Sequence, residues 1–305
     1  MNHLQANLCL LCVTFCWSTE VIIFACIPST VTPFATTCIT FLIGAALLIM
    51  AFFKRIVSGL RTDLKRQIIR CVFLSALNGT YNTMYQFGLK SFDVSSGAFT
   101  LCLTVVALPV ILILQRSKVD KKTWLSALIV LLGICIALSG LLSRDQLPGL
   151  FIIAVGCLLR AFYIIKLNQY AREHDPLVLS VLICVFGGII SFTFWMGVQP
   201  SLFLGIPWSP VIIASLVIYG YFVVALAITL NSFAQRRTTP TNATIIYSLE
   251  IVFSILWGAI LPEKLITPVL LTPQIIGGVI CVVLGNLIIL FDFKKIRNLR
   301  KEASI

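Results

Sequence analysis

The sequence predicts an all-α membrane protein with ten transmembrane helices in two inverted five-helix repeats. Three observations predict it. Ten apolar runs fill the chain, at 8–27, 31–53, 68–89, 94–114, 124–142, 149–167, 177–198, 211–233, 243–261 and 274–292. Each is about 20 residues, the length a helix needs to cross about 30 Å of hydrocarbon. Landmarks also recur in register between a first half, 1–146, and a second, 147–305. Pro33 and Pro176 each open a run, and Trp17 and Arg160 occupy matching slots sixteen residues upstream. At a constant offset of 145, Ala98 aligns with Ala243, Gly133 with Gly278 and Gly140 with Gly285. Five spans per half is an odd number, so the halves insert with opposite orientation. Many secondary transporters build two access states around one site in this way. The third observation is charge asymmetry. With the N-terminus placed in the cytoplasm, 19 of the 23 Lys and Arg fall in cytoplasmic loops and the C-terminal tail. Lys90, Arg144 and Lys264 fall outside, and Arg160 alone lies within a span. This positive-inside pattern puts both termini in the cytoplasm and the protein in the inner membrane.

Composition agrees. The chain is 59% hydrophobic and 11% charged, with a mean hydropathy of +1.03, more apolar surface than a soluble domain of 305 residues needs. Run length and the lack of period-2 alternation exclude a membrane β-barrel. The net charge of +12 resides in orientation signals facing anionic lipid, which argues against a nucleic-acid partner.

Taken in order, span 1 carries Trp17 and Glu20 and lacks a small-residue cleavage site, so it reads as a retained span. Span 2 opens at Pro33. A basic loop of about 14 residues, Lys54 to Gln67, follows it and carries a short amphipathic segment at the headgroups. In span 3, Asn78, Asn82 and Gln86 recur every fourth residue beside Tyr81 and Tyr85, a polar stripe on one helix face. Span 4 contains Pro109, a kink or a packed irregularity. Span 5 has Gly133 and Gly140, and span 10 has Gly278 and Gly285. Glycines seven apart share a face and admit another helix closely, either within the chain or at a dimer or moving contact. Span 6 places Tyr163 three residues after Arg160. The following turn, Arg172 to Pro176, includes His174, expected to be solvated. In span 9, Tyr247, Glu250, Ser254 and Trp257 lie three or four apart. Trp124, Trp195 and Trp208 fall near span ends, as interfacial anchors do.

Glu20, Arg160 and Glu250 lie near mid-depth, each costing about 2.5–3.5 kcal/mol to insert. Such groups face water or one another, and mark function by default. A guanidinium suits a carboxylate or phosphate. A buried Glu can pair with Arg160, hold a substrate amine or exchange a coupling proton. The candidate substrate site is therefore a central cavity of Trp17, Glu20, Asn78, Tyr81, Asn82, Tyr85, Gln86, Arg160, Tyr163, Tyr247, Glu250 and Trp257. Its aromatic residues tolerate bulky, apolar or cationic ligands.

No catalytic, cofactor-binding or metal-binding constellation emerges. The eleven cysteines lie in spans, and Cys9 and Cys12 form a C-x-x-C without a partner pair or nearby His. Neither His lies in a span, and G-x-S-x-G and H-E-x-x-H are absent. The chain lacks a Gly-rich loop ending in Lys-Ser/Thr, so ATP does not drive it directly.

These residues resemble the drug/metabolite transporter superfamily, EamA-type branch. The resemblance rests on Trp17-Ser18 in the first span, Pro33 and Pro176 opening spans 2 and 7, and Ala243, Glu250-Ile251 and Pro262-Glu263 in order along span 9. Gly277-Gly278 to Gly285 in the last span completes it. Departures are Thr40, where the family often has Arg, Lys118, the first-half counterpart of Glu263, and Ile251, where a Pro is expected. The resemblance implies a cavity lined by spans 1, 3, 4, 6, 8 and 9, with spans 5 and 10 behind. It implies a secondary-active carrier, most often an exporter of amino acids or related small metabolites, with multidrug or organic-cation transport and uptake as alternatives. A receptor or assembly factor is the non-transport alternative. The expected partners are a small-molecule substrate, the bilayer and a coupling proton, in a monomer or weak homodimer.

Overall fold

The apolar runs become helices because only a helix satisfies its own backbone polar groups without water. The computed structural model describes residues 1–28, 30–60, 63–90, 99–139, 144–199, 201–261 and 272–290. Its helices are α1 (His3–Ser18), α2 (Glu20–Ala25), α3 (Pro33–Leu60), α4 (Leu64–Leu89), α5 (Leu103–Leu114), α6 (Lys121–Leu138), α7 (Leu147–Glu173), α8 (Pro176–Val198) and α9 (Pro210–Tyr219). A π-helical stretch (Gly220–Leu226) then leads into α10 (Ala227–Gln235), α11 (Pro240–Tyr247), α12 (Glu250–Ile260) and α13 (Pro273–Leu290). No strand occurs among the described residues.

Three helix starts share one sequence device. Asp175, Ser209 and Thr239 each accept a hydrogen bond from a backbone N–H of the first turn, at 2.8, 3.3 and 3.2 Å. A proline follows each of them, where its missing N–H costs nothing.

Among the described residues, seven helical bodies are long and apolar enough to cross a membrane: His3–Phe24, Pro33–Leu60, Lys121–Leu138, Arg144–Glu173, Pro176–Val198, Pro210–Gln235 and Pro240–Ile260. The other three predicted runs are helical but do not meet that standard. Phe99–Leu114 and Pro273–Ile288 are the described parts of two runs and fall short of that length, and α4 dilutes its apolar residues with a basic first turn and its polar stripe. The loop expected from Lys54 to Gln67 is mostly helix. α3 bends at Phe52 (φ −131°, ψ 25°) and continues to Leu60, and α4 starts at Leu64. Past the bend, Ile56 is buried while Lys54 and Arg55 are exposed, the amphipathic segment in helical form.

α3 lies along α8, α4 along α7, and α6 along α13. The last contact decides the role of the glycines. A Cβ on Gly133 would sit 2.8 Å from the Gly278 carbonyl oxygen, and one on Gly278 would sit 2.8 Å from that of Gly133. Gly133 and Gly278 therefore serve packing within the chain. Gly140 and Ala98 lie outside the described residues, as do Pro262, Glu263, Lys264 and the basic tail from Lys294 to Lys301.

The polarity of the molecule is inverted relative to a soluble protein. Leu128, Leu132, Phe151, Ile280 and Leu284 point outward, whereas Glu20, Asn78, Asn82, Arg160, Asn168, Asn231 and Glu250 are buried. Two residues depart from expectation. Trp195 is fully buried, packed with Val31, Ala35, Ile206 and Ile212, rather than anchored at an interface. His174 is buried against Arg70, whose Nη1 lies 2.8 Å from Nε2, rather than solvated.

Candidate functional site

Broken helices meet at the charged residues. The Ser18 and Thr19 hydroxyls both bond back to carbonyls three residues earlier, at 2.7 Å each. Such back-bonding competes with the helical ladder. α1 stops there and Glu20 begins α2. The same local chemistry recurs at Ser248. Its hydroxyl bonds to the Ile245 carbonyl at 2.6 Å, and its N–H is shared between the Thr244 and Ile245 carbonyls. α11 stops, and Glu250 begins α12. In span 8 the π-helical stretch follows Tyr219 directly and brings Val223 and Val224 to the same cavity. Single π turns of this kind concentrate at functional sites. α3 crosses this stretch closely, since a Cβ on Gly44 would meet Val224 Cγ1 at 2.7 Å.

Arg160, at the middle of α7, joins these elements. Its Nη2 lies 3.1 Å from Glu250 Oε2, and both side chains are buried. The guanidinium carbon sits 5.0 Å from the Trp17 ring centre, 5.7 Å from Tyr81 and 5.9 Å from Tyr247. Aromatic faces at these distances attract a cation. Glu20 is separate from this pair: its Oε1 accepts a hydrogen bond from Tyr219 Oη at 2.7 Å, and Phe24 stacks on Tyr219.

The cavity beside Arg160 is lined by Trp17, Glu20, Phe41, Asn78, Tyr81, Asn82, Tyr85, Leu101, Tyr219, Val223, Val224, Ile228 and Glu250, and leaves about 20 Å³ free. That is room for about one water molecule. A smaller space of about 10 Å³, lined among others by Thr104, Val105, Thr244, Tyr247 and Ser248, lies on the other side. Leu101, Arg160 and Glu250 line both, so the ion pair forms the partition together with Leu101.

Of the twelve candidate residues, eight line the larger cavity together: Trp17, Glu20, Asn78, Tyr81, Asn82, Tyr85, Arg160 and Glu250. Tyr247 lines the smaller one. Its hydroxyl donates to Asn231 Oδ1 and accepts from Gln235 Nε2, and Asn168 Nδ2 donates to Gln235 Oε1 at 3.0 Å. A buried polar chain thus runs from the aromatic cage along α10 and α7. Gln86, Tyr163 and Trp257 line neither cavity. Gln86 Nε2 donates to Thr37 Oγ1 at 3.1 Å, which holds α4 to α3. Tyr163 is buried behind Tyr81, with ring centres 6.2 Å apart. Trp257 Nε1 donates to Ser18 Oγ at 2.9 Å and so braces the helix break. Helical spacing finds the right face of a helix but not the depth at which a neighbour covers it.

Sequence reasoning missed Phe41, Leu101, Tyr219, Val223, Val224 and Ile228. Tyr219 carried a usable signal, a phenol inside a predominantly apolar run. The other five are apolar residues in apolar helices, and nothing in the sequence separates them from lipid-facing neighbours.

A multi-pass helical bundle with a small, charged cavity among its helices is compatible with a membrane carrier. Residues 4–139 and residues 147–291 match the model of the EamA-like transporter family, and the chain belongs to that family. None of the curated proteins compared with it matches its sequence. One solved structure, titled only as the crystal structure of a protein, superposes with a TM-score of 0.72. It covers 93% of this chain and 95% of that one at 19% identity, which bears on the fold alone.

Proposed function

We propose that this protein is a secondary-active carrier that exports an amino acid or related small metabolite by alternating access. In this reading it has ten spans in two inverted halves, 1–146 and 147–305, and both termini face the cytoplasm of a cell whose inner membrane it crosses. The observation that carries the reading is the constellation in one small cavity. Arg160 is held in a ring of aromatic faces and paired to Glu250, and a second carboxylate, Glu20, lines the same cavity. A fixed cation and a carboxylate complement the two ends of an amino acid. The reciprocal approach of Gly133 and Gly278, repeat-equivalent residues, supports a two-fold relation between the halves. Glu20, outside the ion pair, is our candidate for a coupling proton.

The cage also favours a second reading, an organic-cation carrier, because it already accommodates one cation. Flux into or out of proteoliposomes, measured with a panel of amino acids and organic cations with and without a pH gradient, separates the two. We expect Arg160→Ala to abolish amino-acid flux and Glu20→Gln to abolish its dependence on the pH gradient. Amino-acid flux left intact by both would exclude the central cavity as the site.

A further inference from the structure

The ion pair that partitions the cavity is incomplete. Arg160 reaches Glu250 through Nη2, while its buried Nε has no hydrogen-bond partner in the protein. Asn78 Nδ2, lining the same cavity and equally buried, has none either. Both unpartnered atoms are donors. A buried donor without an acceptor costs about 1–3 kcal/mol, and a guanidinium edge presenting Nε and Nη2 matches the two oxygens of a carboxylate. The site therefore calls for a carboxylate beyond the one Glu250 supplies.

A free monocarboxylate that displaced Glu250 from Arg160 would leave Glu250 as an uncompensated buried charge, which is strongly unfavourable. An amine drawn to Glu250 would strand Arg160 in the same way. A zwitterion has neither defect. We propose that the substrate is a zwitterionic amino acid that inserts into the Arg160–Glu250 pair. Its carboxylate takes Nε and Nη2 of Arg160, with Asn78 Nδ2 as a further donor, and its ammonium takes the Glu250 carboxylate. One ion pair becomes two, and the buried net charge does not change. Arg160 and Glu250, together with Leu101, are the common wall of the two spaces, so their separation opens the polar part of that wall. Beside Glu20, Asn82 and the tyrosines, the larger cavity wall presents an apolar group of Phe41, Leu101, Val223, Val224 and Ile228, which suits an apolar side chain. This rests on the reading of the cavity as the substrate site.

The test uses leucine and its two half-molecules, 4-methylpentanoate without the amine and 3-methylbutylamine without the carboxylate. Binding to the purified full-length protein is measured by calorimetry. Wild type is expected to bind leucine at least tenfold more tightly than either half-molecule. Glu250→Gln is expected to weaken leucine at least tenfold and to tighten 4-methylpentanoate by a similar factor, since Arg160 is then free. Arg160→Gln is expected to do the mirror image, tightening 3-methylbutylamine. Should either single substitution fail to fold, the double Arg160→Gln/Glu250→Gln chain buries no net charge from this pair, and it should bind all three ligands equally weakly. Leucine binding that both single substitutions leave intact, or a Glu250→Gln protein that binds 4-methylpentanoate no better than wild type, overturns the insertion but not the site. No binding of any of the three to wild type or to either variant overturns the underlying reading as well.

Discussion

Tyr219 illustrates how one hydroxyl can matter in a dry interior. Its Oη donates to Glu20 at 2.7 Å, with both residues buried. A buried hydrogen bond contributes about 0.5–1.5 kcal/mol net, and about 1.5–3 where a partner is charged, and losing this one leaves the Glu20 carboxyl without its donor. Tyr219→Phe should therefore lower stability by about that amount in a denaturation series, and should alter transport through Glu20. A change under about 0.5 kcal/mol, the range of an inert surface substitution, would mean that Tyr219 does not hold Glu20. Gln86, Tyr163 and Trp257 make the converse point. They share helix faces with site residues yet serve as braces one layer back, where Trp257 ties α12 to Ser18.

Between elements, the closest approach of a glycine to another helix's backbone, among the described glycines, lies where α6 meets α13. A methyl on Gly278 would sit 2.6 Å from Ala137 Cβ and 2.8 Å from the Gly133 carbonyl oxygen, whereas a methyl on neighbouring Gly277 would meet nothing closer than 3.5 Å. Backbone cannot yield as a flexible side chain can, and overpacking of this kind costs about 1–3 kcal/mol. Gly278→Ala should lower the melting temperature measurably, and Gly277→Ala should leave it near wild type. Equal effects would show that the two helices can slide apart without penalty. The breaks at Thr19 and Ser248 belong to the same scale. Each sits one or two residues before a buried Glu, and each arises from hydroxyls bonding back to their own helix. The side chains that interrupt the helices are therefore local, but their coincidence in space is not.

Across the whole molecule, one end of the bundle is tied by ions. Arg55 pairs with Asp175 at 3.0 Å, Arg66 with Glu173 at 3.2 Å, and Arg70 with both Glu173 and His174. These contacts join α3 and α4 to the turn between α7 and α8, at the end expected to face the cytoplasm. Because Arg70 only donates, His174 Nε2 accepts, so the imidazole is neutral. Burial, and then the Arg70 charge, hold its pKa below the ordinary 6.5, against smaller opposing effects of Glu173 and Asp63. A group whose neutral form is favoured by the fold contributes its stability fully above about 6.5 and loses it as pH falls towards the lowered value. Stability should thus decline on acidification from pH 7.5 to 5.5, and His174→Gln should flatten that decline. A variant with the wild-type profile would remove His174 from the account. Such a pH profile, read on the folded chain in detergent, is separate from any pH dependence of transport through Glu20.

Helical class, the order of the runs, the charge asymmetry and most of the cavity wall were legible in the chain because each has a local cause. Apolar length, basic loops and buried polar stripes act residue by residue on the cost of leaving water. Three matters had no local cause. The choice of Glu250 over Glu20 as partner of Arg160 depends on where α12 and α2 sit around α7, which both charges satisfy equally in sequence. The apolar wall from Phe41 to Ile228 depends on which faces of uniformly apolar helices turn inward. The burial of Trp195 and His174 depends on neighbours that arrive from distant parts of the chain. A sequence carries the hydrophobic and charge pattern that assigns a residue to a membrane interior. Which two interior charges touch is set by helix packing, and in a low dielectric that contact decides the chemistry of the site.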